Sequence, residues 1–265
     1  MLLFNSSCQQ QVPFKLPPAV TYANFEADED SLRVSVQKNT PGPIHFYFQS
    51  SIEPMNQAME AINPVILTDS LKLQTFAFPH SGQDSLTLRE SLSPKGFHGN
   101  PYALDTPKVM VWPFPKGQKY RIIQAYNGSY SHNKKFSRYA IDFSLAVGDT
   151  VCAALDGLVI NVLQENILGG KQKKYFDFAN YITLYHPDGR LTQYVHLQPN
   201  SALVEPGDIV RKGQAIGLSG VTGFTSGPHL HFNVIKPIIA DAISTPATFE
   251  KMEGKDLKKG MWVEH

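Results

Sequence analysis

Apolar and polar residues alternate with a period of two along much of this 265-residue chain. In the segment SLRVSVQ, for example, Leu32, Val34 and Val36 would share one face of a strand. The segments PIHFYFQ, SLKLQTFAF and DSLTLRESL alternate in the same way, and such runs end at Gly, Pro, Asn or Asp, which is typical of half-buried strands. Helical periodicity is confined to SIEPMNQAMEAIN, residues 51–63. The pattern therefore predicts a mainly β protein.

A stretch rich in Pro and Gly separates two groups of these segments. The first group predicts a small N-terminal β-sandwich-like domain, and the denser second group predicts a compact antiparallel β-sheet or barrel. In the second group, the turn PDG at 187–189 predicts a hairpin. The expected organisation is an N-terminal tail or signal remnant at 1–20, the sandwich at 21–92, a linker at 93–108, the second domain at 109–236 and a C-terminal tail at 237–265.

Composition narrows the classes of function. The chain has 24 Lys plus Arg against 23 Asp plus Glu, with no long basic run, so we expect no nucleic-acid partner. No window of about 18 apolar residues predicts a transmembrane segment. Two cysteines do not make a disulfide framework. Cys152 fits a small buried hydrophobic residue, and a bridge between it and Cys8 is left open.

The first residues, MLLFNSSCQQQ, place Cys8 after a short apolar segment, as at the end of a lipoprotein signal. A working signal needs a positive region and roughly 7–15 apolar residues, and this segment falls short of both. Two interpretations stay open. Either the start is trimmed or misassigned and Cys8 is a lipid anchor, or the likeness is accidental.

Candidate chemistry is concentrated in SGPHLHFNV, where His229 and His231 flank Leu230. Alternate side chains of a strand face the same way, so the two imidazoles would lie on one face with Leu230 on the other. Two charged imidazoles would repel each other there, and a metal ion, or a mixed donor and acceptor arrangement, removes that repulsion. The alternative is a pair of exposed strand histidines.

Two further residues favour the metal. His196 ends the strand segment TQYVHLQP, and Asp142 lies within the apolar strand segment YAIDFSLA. Carboxylates are rarely buried unless they are paired or bound to a metal. An Asp with several His residues is a ligand set that suits zinc. Because the set contains no Cys, it indicates an open catalytic site rather than a structural one.

From about residue 122 to 234 the chain resembles the M23 family of zinc metallopeptidases, the lysostaphin or LytM type of peptidoglycan endopeptidases. The stretches that carry the resemblance are YAIDFSLAVGDTVCAALDGLV, YITLYHPDGRLTQYVHLQ and VEPGDIVRKGQAIGLSGVTGFTSGPHLHF. The resemblance does not extend to the N-terminal β region. It implies that Asp142 and His231 bind Zn²⁺, and that His196 and His229 are the catalytic histidines.

The first metal ligand departs from the family pattern. The family has His-x-x-x-Asp, but the residue four positions before Asp142 is Arg138, and the nearest upstream histidine is His132. We interpret the intervening NKKFSR as part of an enlarged loop that brings His132 back to the metal. His132 is therefore our third expected ligand.

The resemblance implies a zinc endopeptidase that hydrolyses the peptides or cross-links of bacterial peptidoglycan, acting outside the cytoplasm in the periplasm, in the cell envelope or as a secreted protein. The main alternative is a catalytically inactive LytM-like domain that binds cell wall or regulates another wall hydrolase. A biotinyl or lipoyl carrier shares the GDxV turns, here VGDTV and PGDIV, but it needs a lysine at a hairpin tip, and the tip PDGR has none. The other histidines are expected to have turn, surface or packing roles: His45, His80, His98, His186 and His265.

Overall fold

The computed structural model describes residues 20–68, 73–93, 95–102, 108–239 and 241–265. The predictions for Cys8, as a lipid anchor or as a disulfide partner, concern a residue outside these ranges. Cys152 lies within them and is buried, as expected for a small hydrophobic residue. None of the described helices is long and apolar enough to span a membrane.

The N-terminal part forms two small antiparallel sheets and two helices. Its elements are β1 (Val20–Ala27), β2 (Ser31–Lys38), β3 (Ile44–Tyr47), α1 (Met55–Ile62), β4 (Val65–Leu67), β5 (Leu73–Pro79), α2 (Ser85–Glu90) and β6 (Lys95–His98). The sheet orders are β1-β2-β5 and β4-β3-β6. Leu32, Val34 and Val36 are all buried and pack in one apolar cluster with β3, α1 and α2, so the predicted inward face of SLRVSVQ is confirmed.

One predicted strand in this part is wrong. DSLTLRESL alternates like a strand, but Ser85–Glu90 is the helix α2. The carboxylate of Asp84 accepts hydrogen bonds from the backbone N–H groups of Leu86 and Thr87, which caps the helix N-terminus. Leu88 is the buried residue of this short helix. A helix of six residues that buries one side chain leaves little helical periodicity to detect.

The C-terminal part is built on a nine-stranded antiparallel sheet. Its order is β14-β10-β12-β13-β17-β8-β7-β21, with β18 paired to β17. The strands of this part are β7 (Lys119–Gln124), β8 (Ile141–Phe143), β9 (Thr150–Cys152), β10 (Gly157–Leu163), β11 (Gly169–Gly170), β12 (Tyr181–Tyr185), β13 (Leu191–Val195), β14 (Ile209–Val210), β15 (Ala215–Leu218), β16 (Gly223–Phe224), β17 (Leu230–Ile238), β18 (Asp241–Ser244), β19 (Thr248–Phe249), β20 (Met252–Glu253) and β21 (Trp262–Glu264). Two 3₁₀ helices lie at Lys173–Phe178 and Gly254–Asp256.

The chain is mainly β, as predicted. For the second domain we predicted a compact sheet or a barrel, and the structure has an open sheet. Within the described residues the strand order ends at β14 and β21, and these two strands do not pair to close a barrel. The hairpin predicted at PDG is present, because β12 and β13 pair across it and Gly189 adopts a φ of 82°. Leu230, Phe232 and Val234 of β17 contribute to the largest apolar core, so His231 belongs to the opposite face of the sheet.

Strands also occur in stretches that we expected to be a linker and a tail. β6 lies within 93–108 and pairs with β3. Four strands, β18 to β21, lie within 237–265, together with the buried Phe249, whose ring stacks on that of Trp112 at 4.1 Å. These strands are two to four residues long, which is too short for a period of two to stand out in sequence.

Candidate metal centre

Three of the five predicted site residues bring potential ligand atoms together. Asp142 Oδ1 lies 2.9 Å from His231 Nδ1 and 3.1 Å from His132 Nε2, and the two nitrogens lie 3.2 Å apart. A tetrahedral zinc ion with bonds of about 2.0–2.1 Å would separate its ligand atoms by about 3.3 Å. The three atoms are therefore spaced almost as such an ion requires, and among the described residues they form a group able to hold a metal ion.

Sheet register brings two of these residues together. His231 on β17 lies opposite Asp142 on β8, and His231 is also paired with Val195 of β13. His231 and Asp142 are 4% and 5% exposed. A carboxylate this deeply buried needs partners that offset its lost hydration, and the imidazoles supply them.

His132 comes from the loop between β7 and β8. It lies ten residues before Asp142 in sequence, and the loop doubles back through a backbone hydrogen bond from the N–H of Asn127 to the carbonyl of Arg138 at 2.7 Å. Asn127 has a φ of 57°, a left-handed conformation that asparagine tolerates. His132 Nδ1 lies 3.0 Å from the carbonyl oxygen of Ala125. A proton on Nδ1 would satisfy that contact and leave the Nε2 lone pair directed at the Asp142 and His231 ligand atoms.

His196 and His229 lie beside this group. Their ring centroids are 4.5 Å apart, and His229 Nε2 is 3.9 Å from Asp142 Oδ1. His196 follows the last residue of β13 with a φ of 66°, an uncommon backbone conformation that often marks functional positions. His229 and His196 are 8% and 5% exposed, so the pair is enclosed on most sides.

The loop that contains β16 holds the Nδ1 atoms of both rings. His196 Nδ1 is 2.7 Å from the carbonyl oxygen of Thr222, and His229 Nδ1 is 2.9 Å from that of Gly227. Thr225 Oγ1 lies 3.1 Å from His229 Nδ1. Since a carbonyl oxygen only accepts, both rings carry their proton on Nδ1, and in the neutral state Nε2 has the lone pair.

Charge is concentrated on Asp142. Burial opposes its ionisation, but His132, His229 and the hydrogen bonds from His132 and His231 outweigh burial and hold the pKa of the Asp142 carboxyl well below its ordinary value. Burial also opposes the charged form of His132, yet the adjacent carboxylate outweighs it and raises the pKa of His132. The site therefore combines one firmly ionised carboxylate with imidazole nitrogens, a donor set that attracts a divalent cation.

The pKa values of His231 and His196 are lowered, in contrast to that of His132. Burial lowers the pKa of His231, although Asp142 opposes that change. Burial, followed by the repulsive influence of His229 and His231, holds the pKa of His196 well below its ordinary value. His196 is therefore neutral near pH 7 and able to accept a proton on Nε2.

Residues that our sequence reasoning did not single out support these side chains. Gln124 donates to Asp142 Oδ2 at 3.0 Å, Thr222 supplies the carbonyl for His196, and Thr225 contacts His229. The only signal for the two threonines was their position in the resembling stretch GVTGFTSGPHLHF. No sequence signal was available for Gln124, because its contact depends on how β7 pairs with β8.

An aromatic strip borders the site on one side. Phe224 stacks on Tyr130 at 5.3 Å and on Phe176 at 4.6 Å between ring centroids. Tyr130 is 53% exposed and precedes His132 by two residues. Phe224 lies directly between Gly223 and Thr225. Tyr130 and Phe224 thus place this aromatic surface on the two loops that hold the site histidines, and Phe176 extends it from the 3₁₀ helix Lys173–Phe178.

The remaining histidines pack elsewhere. His186 is completely buried after β12, with Nδ1 at 2.8 Å from the Asp156 carbonyl and Nε2 at 2.8 Å from Thr192 Oγ1. His186 lies between β12 and the PDG turn, which agrees with the turn role that we predicted. Its buried ring also connects the Asp156 carbonyl to the Thr192 hydroxyl. The others with packing roles are His45, His80 and His98, which are buried, and His265, whose Nδ1 contacts the carbonyl of Phe114.

This region of the chain is similar to a known protein family. Residues 136–243 match the model for Peptidase family M23, a span that contains Asp142, His196, His229 and His231 but begins after His132. The chain is 31% identical over 139 residues to the peptidoglycan DD-endopeptidase ShyA of Vibrio cholerae, covering 50% of this chain and 30% of that protein. It is 39% identical over 97 residues to the glycyl-glycine endopeptidase ALE-1 of Staphylococcus capitis, covering 36% and 24%.

A similar solved structure is the crystal structure of a zinc-containing peptidase from Vibrio cholerae. It matches with a TM-score of 0.39 and 18% identity over 81% of this chain and 77% of that one. The chain spans less than a third of the length of the two curated relatives that are named above.

Proposed function

We propose that this chain, whose residues 136–243 match the model for Peptidase family M23, is a member of that family and a zinc-dependent endopeptidase that hydrolyses peptide bonds in bacterial peptidoglycan. The observation that carries the proposal is the convergence of His132, Asp142 and His231 on one point, with two histidines beside it. Two curated relatives with this likeness are named as peptidoglycan DD-endopeptidase and glycyl-glycine endopeptidase.

The donor set fits a zinc ion. His132 Nε2, His231 Nδ1 and Asp142 Oδ1 would hold it, since two imidazole nitrogens and one carboxylate oxygen suit zinc, and their spacing matches a tetrahedral arrangement. Three protein ligands are the usual number at a catalytic zinc site. Bound there, zinc would lower the pKa of a water molecule to about 7 and polarise the carbonyl of the scissile bond.

His196 and His229 would handle the protons. Both have Nδ1 tied to a backbone carbonyl, so both present Nε2 toward the reaction. The low pKa of His196 keeps it in the accepting form near neutral pH, which favours it as the group that takes the proton from water. The proton on His196 Nε2 would then pass to the leaving amine as the C–N bond breaks, and His229, when its Nε2 also carries a proton, would donate a hydrogen bond to the carbonyl oxygen as negative charge develops on it.

The substrate would lie along the site face of the sheet. The aromatic strip of Tyr130, Phe224 and Phe176 provides apolar contact surface next to the two histidines. A flexible wall peptide would be ordered against this strip and so held near the reacting groups. A peptidoglycan substrate also implies that the protein acts outside the cytoplasm.

The test is to purify the full chain, measure bound metal by elemental analysis, digest purified peptidoglycan with it and identify the fragments by mass. We expect about one zinc per chain, wall fragments with new amino and carboxyl termini, loss of activity with a chelator and recovery with zinc. The masses will also identify the bond that is cut. Arg138→Ala, an exposed loop change, is the control for substitution near the site.

Two outcomes would contradict this proposal in different ways. Stoichiometric zinc without any cleavage would indicate a latent enzyme or a zinc-stabilised binding domain. Neither zinc nor cleavage would favour the inactive wall-binding or regulatory domain.

A further inference from the structure

Gln124 joins the two halves of the candidate metal centre through one amide group. Its Nε2 donates one hydrogen bond to Asp142 Oδ2 at 3.0 Å and another to Ser131 Oγ at 2.7 Å. An amide NH₂ has two protons, so both bonds can form at once. Asp142 is a candidate ligand, and Ser131 immediately precedes a second one, His132.

The bond to Asp142 makes the two carboxylate oxygens unequal. Oδ1 faces His132 Nε2 and His231 Nδ1, whereas Oδ2 is held by Gln124 on the other side. A carboxylate whose second oxygen accepts an amide N–H is kept from rotating to offer both oxygens to one cation. Outer hydrogen bonds of this kind orient metal ligands.

The bond to Ser131 fixes the loop. Gln124 is the last residue of β7 and is paired with Asp142 of β8, so its position is set by the sheet. The loop then packs closely on its side chain, since a Cβ at Gly128 would lie 2.4 Å from Gln124 Cγ. Gln124 therefore connects the sheet to the loop at Ser131, one residue before His132, whose Nε2 lies 3.1 Å from Asp142 Oδ1.

We propose that Gln124 is a positioning residue that keeps Asp142 a one-oxygen ligand and sets the loop that delivers His132. This inference rests on the proposed metal site. It goes beyond that proposal because it gives a reason why His132 and Asp142 stay close together although the loop between them is longer than in His-x-x-x-Asp. The Gln124 amide on the neighbouring strand holds Asp142 at one end of this loop and Ser131, next to His132, at the other.

The test compares Gln124→Met with the wild-type full chain. Methionine keeps most of the side-chain length but has no N–H to donate. We expect zinc affinity, measured by competition with a chromophoric chelator, to fall by about 10–100-fold. With cobalt(II) in place of zinc, the visible absorption spectrum should change as Asp142 takes up a second bond to the metal. On peptidoglycan, kcat should fall while KM changes little.

Two further variants separate positioning from general destabilisation. Gln164→Met makes the same substitution at a part-buried glutamine whose Oε1 accepts from the Ala202 N–H, away from the metal ligands, and it should leave zinc affinity and the cobalt spectrum at wild-type values. Ser131→Ala removes one of the two partners of Gln124 and should reduce zinc affinity by a smaller factor. The double variant Gln124→Met/Ser131→Ala should be no weaker than Gln124→Met alone, because both act through one amide.

Distinct results would overturn each proposal. If Gln124→Met binds zinc as tightly as wild type with an unchanged cobalt spectrum, the positioning role is wrong while the metal site stands. If the loss of zinc affinity in Gln124→Met is fully accounted for by a lower Tm of the metal-free variant, Gln124 stabilises the fold and does not position the ligands. If wild type binds zinc but does not cut peptidoglycan, the proposed activity fails and the affinity measurements still decide the role of Gln124. If the wild-type chain binds no zinc, both the proposed metal site and the positioning role of Gln124 are wrong.

Discussion

The imidazole rings of His196 and His229 lie with their centroids 4.5 Å apart and their planes 46° apart. Each ring is held by its own Nδ1 contact to a backbone carbonyl in the segment 222–227. The hydrogen bonds that orient the two rings thus come from one loop, whereas the candidate metal ligands lie on β8, on β17 and in the loop between β7 and β8. This difference in support allows the proposed proton-transfer groups and the proposed metal ligands to be tested separately.

We expect His229→Ala to abolish hydrolysis while zinc stays bound, and His231→Ala to lose both. His229 Nε2 is 3.9 Å from Asp142 Oδ1, so it lies beside the ligand group, whereas His231 Nδ1 is 2.9 Å from the same oxygen. Loss of a general acid or base costs about 10²–10⁴-fold in rate. Zinc content and wall digestion are to be measured on both variants. Equal loss of zinc from the two would show that the roles along β17 are assigned wrongly.

We expect His132→Ala to weaken zinc binding at least tenfold, on the order of 1.4 kcal/mol or more. Without His132 only two protein ligands remain, one short of the usual number. Arg138→Ala should bind zinc like wild type, because the Arg138 side chain is exposed and a guanidinium has no lone pair to give. Zinc retention during dialysis and wall digestion are the measurements. The reverse ranking would exclude His132 from the site and reopen the case for a non-catalytic domain.

Most residues of the proposed site could be named as candidates from the sequence, because they belong to short local patterns. His229 and His231 share a strand face by alternation, and Asp142 stands out as a charge in an apolar strand. His132 required a loop interpretation, and the structure brings its Nε2 to 3.1 Å from Asp142. Gln124 could not be found in this way, because its bond to Asp142 arises from strand pairing and a loop that packs on its side chain.

We expect residues 109–265 to fold without the N-terminal part. The apolar clusters of the two parts are separate, as expected of independently folding units. Contacts between the parts include Gly42, where an added Cβ would meet Ile160 at 2.9 Å. The fragment should be soluble, with a single cooperative thermal transition followed by circular dichroism. An insoluble fragment beside a well-behaved full chain would mean that the predicted boundary is wrong.

The same fragment tests what the N-terminal part does. Digestion of peptidoglycan by 109–265 and by the full chain should be compared at equal zinc occupancy. A faster fragment would identify the N-terminal part as inhibitory, and a slower one would indicate that it helps to bind substrate.

The fold could be predicted where strands are long and one-sided, and not where elements are short. β2 spans eight residues with a clear buried face, and its alternation was sufficient to predict it. The six-residue helix α2 and the short strands after Ile238 leave no comparable periodicity. Their structure depends on a cap at Asp84 and on packing such as that between Trp112 and Phe249, which no single segment reveals.

We expect Gly169→Ala to reduce turnover by roughly 10²-fold, the scale of an ångström-sized misplacement of a catalytic group, with zinc affinity unchanged. A Cβ at Gly169 would lie 1.8 Å from the backbone oxygen of Val221, so β11 and β16 would have to separate. The carbonyl of the next residue, Thr222, holds His196, whereas the metal ligands lie on other elements. Lys171→Ala, an exposed change two residues away, is the control and should turn over like wild type. Normal turnover in Gly169→Ala would show that this loop does not position His196.

The buried His186 predicts how stability depends on pH. Burial is the main cause that lowers its pKa from 6.5 to about 4, and its two nitrogens contact the Asp156 carbonyl and Thr192. Between these two pH values the unfolded chain binds a proton that the folded chain excludes, so stability rises with pH through this window. The contribution is fully present above about pH 6.5 and is lost progressively as the pH falls to about 4, by on the order of 3 kcal/mol in total.

We therefore expect the free energy of unfolding in urea to fall between pH 7.5 and pH 5 by about 2 kcal/mol more in wild type than in His186→Gln. Glutamine can keep a hydrogen bond in the pocket but does not titrate, so the variant should start less stable at pH 7.5 and change less on acidification. Measuring both proteins in a chelator removes the contribution of metal binding, which itself depends on pH. The difference between the two slopes isolates His186 from the other histidines, which are present in both. Equal slopes would mean that His186 gains its proton in the folded state, and that the pocket formed by the Asp156 carbonyl and Thr192 accommodates the charged ring.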